Sequence, residues 1–248
     1  MSQIWIKSEG GYLDARVLSS KKKSKTGYLL VPGLFEPCCD LYYFVQEFIE
    51  ELKETDSFGL VFEFSGNGDS FGDISSMTVS SMKQNIKDVL EYIRSQGVRE
   101  IIAVGRGIGA NLLNSAADDE SVKAVYMINP MVMGSNALQI LENFIGDYDN
   151  EEVYLAESVL KQLQAILYTA GVDMSNIQEE RISLHLLKEM LNTDDISNKD
   201  NLHSKSNVLI TNDVQDKYVD PVTDYLIDAD LSKYNDRYSV IKEIIAEI

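Results

Sequence analysis

The chain has 248 residues, and its 22 basic against 40 acidic side chains leave a formal net charge of -18. That length suits one large α/β domain with a sizeable core, and that field repels nucleic-acid phosphates and anionic membrane surfaces, so neither is an expected partner. No apolar run approaches the roughly 20 residues that span a bilayer, and Met1-Ser2-Gln3-Ile4-Trp5-Ile6-Lys7 lacks the apolar core and cleavage site of a secretion signal.

Gln3 to Ser8 and Tyr12 to Ser19 read as two strands joined by the Gly10-Gly11 turn. The basic run Lys21-Lys22-Lys23 then reads as a solvated hairpin tip. Gly27 to Val31 is a third strand, stopped by Pro32-Gly33. The cysteines, Cys38 and Cys39, are adjacent. A bridge between neighbours strains the peptide bond joining them, so they read as free thiols of a reducing compartment, and the protein as cytoplasmic. Leu41 to Lys53 carries Phe44, Val45, Phe48, Ile49 and Leu52 at helical spacing.

Phe58 to Phe64 is another strand, and Met77 to Ser95 an amphipathic helix with Met82, Ile86, Val89, Leu90 and Ile93 on one face. Ile101 to Val104 and Ala124 to Ile128 are short and nearly all apolar, as strands buried on both faces are. The alternation from Gly27 to Pro130 predicts a mostly parallel central sheet with helices on both faces. From about 134 to 201 the pattern is helical and strandless, which reads as an inserted helical cap. Met131, Met133, Phe144, Tyr148 and Tyr154 either line an apolar pocket there or form the cap's own core. Strand signal returns at Asn207 to Thr211 and weakly at Thr223 to Ile227, before a closing helix from Asp236 to Ile248. Without repeats or low-complexity linkers, residues 1–248 read as one domain carrying that insertion.

The most informative segment is Ile101 to Ala110, an apolar strand that enters a glycine turn and then a helix opening at Ala110. It has the form of a nucleophile elbow, Gly-x-Ser-x-Gly. Here it reads Gly105-Arg106-Gly107-Ile108-Gly109, with glycine in the serine's place. Three other segments fall in matching order: Val31-Pro32-Gly33-Leu34-Phe35 after the third strand, Phe62 to Gly72 after the fourth, and Leu209 to Pro221, which includes Asp216. With these four segments the chain resembles the α/β-hydrolase superfamily over nearly its whole length, nearest the small cytosolic serine-aminopeptidase or acyl-esterase type.

The resemblance implies the α/β-hydrolase fold and assigns the triad positions. The serine position is Gly107, the acid position is Asp216, and Ala229-Asp230-Leu231-Ser232 puts Leu231 at the histidine position. The only histidines, His185 and His203, stand in the wrong chain order for the base. Triad members act as a unit, so conventional serine hydrolysis is not expected. Asp216 then reads as a turn-forming or capping carboxylate. The oxyanion-type amides carry over to Leu34 and Ile108, and backbone N–H groups survive loss of the side chains. Arg106 either adds positive charge beside them or supports the turn.

Two weaker nucleophile candidates remain. Ser70 lies in a literal Gly-x-Ser-x-Gly, Gly68 to Gly72, but no helix opens at Gly72. Cys38 lies just before a helix, where a thiolate is more nucleophilic; its other reading is a small apolar packing residue. Three functions follow in order. The first is a non-hydrolytic pseudoenzyme binding a small apolar or acyl-like ligand, or a protein partner. The second is a noncanonical enzyme of lyase, epimerase or natural-product tailoring type. The third is an esterase or thioesterase with a displaced nucleophile. No cofactor and no metal are expected.

Overall fold

The computed structural model of the protein describes residues 1–19, 24–34, 43–116, 120–130, 183–192, 207–211, 225–229, 231 and 233–246, with the isolated positions 143, 161, 162 and 165. Its strands are β1 (Ser2–Ser8), β2 (Gly11–Ser19), β3 (Thr26–Val31), β4 (Phe58–Phe62), β5 (Glu100–Arg106), β6 (Val122–Ile128), β7 (Asn207–Thr211) and β8 (Tyr225–Asp228). They form one eight-stranded sheet in the order β1-β2-β4-β3-β5-β6-β7-β8. From β4 to β8 every neighbouring pair is parallel, while β2 runs antiparallel to both β1 and β4.

Side-chain alternation decides what covers each face. Leu29, Val31, Ile101, Ala103, Val125 and Met127 point to one face. There they pack with α2 (Val79–Ser95), α3 (Ile108–Ala116) and α4 (Leu184–Leu191). Tyr28, Leu30, Ile102, Val104, Tyr126 and Ile128 point to the other face, against α1 (Phe44–Leu52) and α5 (Tyr234–Ala246). Two cores of this kind are what apolar-on-both-sides strands require, and they give the α/β architecture the sequence predicts.

The helices start where capping chemistry allows. Thr78 and Ser81 exchange side-chain-to-backbone hydrogen bonds, 3.0 Å each way, at the start of α2. Ser183 accepts the Leu186 N–H at 3.0 Å at the start of α4. The Glu189 carboxylate, on α4, accepts the Val79 N–H at 2.8 Å, so α4 is fastened to the positive end of α2 as well as buried through Leu186, Leu187 and Met190.

Some boundaries differ from expectation. The helix after the glycine turn opens at Ile108, not Ala110. The fourth strand ends at Phe62, after which Phe64 to Gly72 is turn and loop. Lys21-Lys22-Lys23 lies outside the described residues; β4 lies between β2 and β3, so those two strands are not hairpin partners. Of the expected cap, α4 with its flanking Ser183 and Asn192 and the four isolated positions are described. The rest of it, with Met131, Met133, Phe144, Tyr148 and Tyr154, lies outside the described residues, as do Cys38, Cys39, His203 and Asp216. Among the described residues no helix is long and apolar enough to cross a membrane.

Candidate functional site

Topology points to one place before any side chain is considered. From β3 the chain crosses by α1 to β4 on one side, and from β5 it crosses by α3 to β6 on the other side and the other face. In an open parallel sheet, the crevice outside the carboxyl ends of strands at such a reversal is where ligands bind. Those ends are Val31 to Leu34 and Gly105 to Ile108, paired in register through Val31 and Gly105.

The elbow is built by close backbone approaches. A Cβ on Gly105 would stand 2.6 Å from the Ala110 Cα, and one on Gly109 would collide with the Pro32 carbonyl oxygen. Both outer glycines are therefore fixed by packing, the first of strand against helix and the second of helix against the loop after β3. Gly107 is different. Its φ is +52°, the left-handed turn of an elbow, and its N–H donates to the Ile128 carbonyl at 3.0 Å. Among the described residues a Cβ there would meet only the Gly33 Cα, at 4.0 Å. No described side chain fills that position, which faces the loop after β3.

The expected oxyanion segments come together around this space. Gly33, next to Leu34, faces Gly107, and Ile108 opens α3. The first N–H groups of a helix have no partner within it and carry the positive end of its dipole. Leu34 is half-buried against the first core, and Ile108 is buried in it. Arg106 ends β5 opposite Ile128 and is half-buried. One contributor escapes the sequence reading. Asn129, beyond β6, is exposed with φ +40° and stands beside the elbow, since Gly107 bonds to its neighbour Ile128. The Asn129-Pro130 pair is the available signal, because Asn-Pro marks a turn and Asn tolerates the left-handed region.

Leu231 follows β8, beyond β6 and β7 from the elbow, and packs against the second core. His185 sits on α4 with Nε2 3.5 Å from the Glu189 carboxylate one turn on. Ser70 is buried in the loop after β4. Its hydroxyl donates to the Glu63 carbonyl at 2.7 Å and accepts the Asp14 N–H at 2.8 Å. The Glu63 carboxylate accepts the Asp69 N–H at 3.1 Å and occupies the volume a Gly68 side chain would need. Ser70 thus ties its loop to β2, and its proton is committed to a carbonyl. Among the described residues no group of three metal-ligating side chains occurs.

By sequence the chain matches no protein-family model and no curated protein. By structure it resembles many solved proteins. Est1E from Butyrivibrio proteoclasticus, solved with ferulic acid, superposes with a TM-score of 0.66 at 14% identity, covering 97% of this chain and 96% of that one. Mouse alpha/beta hydrolase domain-containing protein 10 gives a TM-score of 0.64 at 18% identity, covering 99% and 98%. The bottromycin epimerase BotH, solved with bottromycin A2, gives 0.55 at 13% identity, covering 99% and 96%. At such identities the likeness is one of architecture, and by strand order, elbow and coverage together the chain has the α/β-hydrolase fold.

Proposed function

We propose that this protein is a non-hydrolytic member of its fold, a pseudoenzyme that binds a small apolar or acyl-like ligand, or a protein partner, in the crevice above Gly107. The observation that carries the reading is Gly107 itself. The elbow holds its left-handed turn and has only Gly33 against it among the described residues, yet Gly107 supplies no atom that could attack a carbonyl. Leu231, at the position the resemblance gives the base, is aliphatic and packed into the core on the α1 and α5 side. Among the described residues the backbone at the start of α3 and in the loop through Leu34 is suited to hydrogen-bonding an acyl oxygen without turning it over.

The test is exposure of the purified protein to an alkyl fluorophosphonate and to short- and medium-chain p-nitrophenyl esters. No serine is labelled and no ester is cleaved above the heat-denatured control. Stoichiometric labelling of any serine overturns the reading. The non-hydrolytic enzyme reading draws on BotH, whose name shows the scaffold serving epimerisation. Turnover of a substrate by protein that resists the fluorophosphonate would favour it over simple binding.

A further inference from the structure

Arg237 is the one arginine among the buried polar residues described, at 7% exposure. It lies in the first turn of α5, and its guanidinium spans two elements. Nε and Nη2 donate to the two carboxylate oxygens of Glu47, at 3.0 and 2.9 Å, and Nη1 donates to the Leu231 carbonyl at 3.0 Å. Glu47 stands in the first turn of α1. Since α1 follows β3 and α5 follows β8, and both strands run the same way, both helix starts lie at the carboxyl edge of the sheet. One planar fork therefore joins the segment after β8 to the start of α1.

The same pair of helices carries a second ion pair, Lys242 with Glu51, whose lysine side chain is half exposed. That pair can hold helix to helix, but it reaches no loop. A buried bidentate pair adds little net stability over an apolar contact, because desolvation offsets most of its attraction. Its distinctive contribution is direction, since the guanidinium fork has fixed geometry. We propose that Arg237 is a positioning residue of the sheet's carboxyl edge: it locks the segment at Leu231 to the first turn of α1, so that the two move as one body.

The experiment is hydrogen–deuterium exchange on the full chain, which needs no ligand and no restored chemistry, so its outcome is separate from that of the binding reading. In Arg237→Lys, amides at 229–236 and at 43–50 exchange about tenfold faster, the loss expected for charge-assisted hydrogen bonds. Amides of α2 and β5 stay as protected as before. The charge swap E47R/R237E discriminates further. It restores an ion pair between α1 and α5, but a carboxylate cannot donate to the Leu231 carbonyl. The 43–50 segment regains protection while 229–236 stays fast. Rescue of both segments by the swap would show mere helix-to-helix attachment and overturn the proposal. So would faster exchange spread evenly over the chain in Arg237→Lys, or no change at 229–236. Should the swap not fold, the exchange pattern of Arg237→Lys decides by itself.

Discussion

The elbow's three glycines look alike in sequence, but they carry very different costs of substitution. In Gly107→Ser the new Cβ meets, among the described residues, only the Gly33 Cα, at 4.0 Å, so these add no steric penalty and the cost is the left-handed backbone at φ +52°. That conformation costs an L-residue about 1–2 kcal/mol. At about 2–4 °C per kcal/mol for a chain of this size, the melting temperature falls by about 2–8 °C. Gly109→Ala puts a methyl into the Pro32 carbonyl oxygen, where backbone rather than a pliable side chain must yield. The start of α3 or the loop after β3 then shifts, at a cost of about 3 kcal/mol or more, the upper end of what core overpacking costs. Differential scanning fluorimetry of both variants with circular dichroism reads the contrast. Gly107→Ser folds and stays inert to fluorophosphonate, because a serine without a proton acceptor is a poor nucleophile. Equal destabilisation by the two substitutions would refute the claim that Gly107, unlike Gly109, is uncrowded by its described neighbours. Rapid labelling of the introduced hydroxyl would refute the claim that no base is in reach.

Ser70→Ala leaves the Asp14 N–H and the Glu63 carbonyl without their buried partner and lowers stability by about 1–3 kcal/mol in urea titration, with no change in ester turnover. Gly11→Ala drives a methyl into the Phe71 ring, which covers the β1–β2 turn, and loosens the loop after β4, seen as faster exchange at residues 66–72. Thr78→Ala breaks the capping box of α2 and costs about 1 kcal/mol by denaturant unfolding. The hydrogen bond to Glu51 raises the Lys242 pKa above its ordinary value. A folded-state pKa above the unfolded one gives stability that is complete at neutral pH and is lost as the lysine deprotonates, above about pH 10.4. The melting difference between wild type and Lys242→Gln therefore shrinks as pH rises through that range, and a difference that grew there would contradict the pairing.

What can be read from the sequence follows the range of the interaction that fixes it. The elbow is legible because strand, turn and helix start all lie within Ile101 to Ala110, and short apolar runs such as Ala124 to Ile128 announce buried parallel strands locally. The nearest decoy, Gly68 to Gly72, matches the same pattern, and only the missing helix after it speaks against it; the bonds from Ser70 to Glu63 and Asp14 span up to 56 residues. That β2 and β3 are not neighbours is hidden for a related reason. Nothing near them in sequence records that β4 slots between the two. Arg237 and Glu47 are 190 residues apart, and neither carries a local mark of its partner. The helix start at Ile108 is hidden because Gly109 is a poor helix former by propensity; its place in α3 is decided by the contact with Pro32.

The distinction between the glycines bears on what kind of protein this is. Gly105 and Gly109 are demanded by the way β5, α3 and the loop after β3 pack, whatever chemistry the site performs. Gly107 is demanded by no described neighbour, only favoured by its φ, and there it makes the strained turn cheaper than a serine would. The described frame is thus indifferent to whether that position carries a side chain, and its turn is eased by glycine. For the same reason an intact frame is no evidence of hydrolysis. What the frame fixes is the sheet's point of reversal, where the loop through Leu34 and the start of α3 lie at the carboxyl ends of β3 and β5. Gly107 lets a bound group approach the backbone more closely than a residue with a side chain would, with only Gly33 facing the position among the described residues. Binding that weakens when Gly107 is enlarged to Ser and then to Val, at matched stability, is the signature of an occupant against that position. Binding indifferent to this series would place the occupant elsewhere.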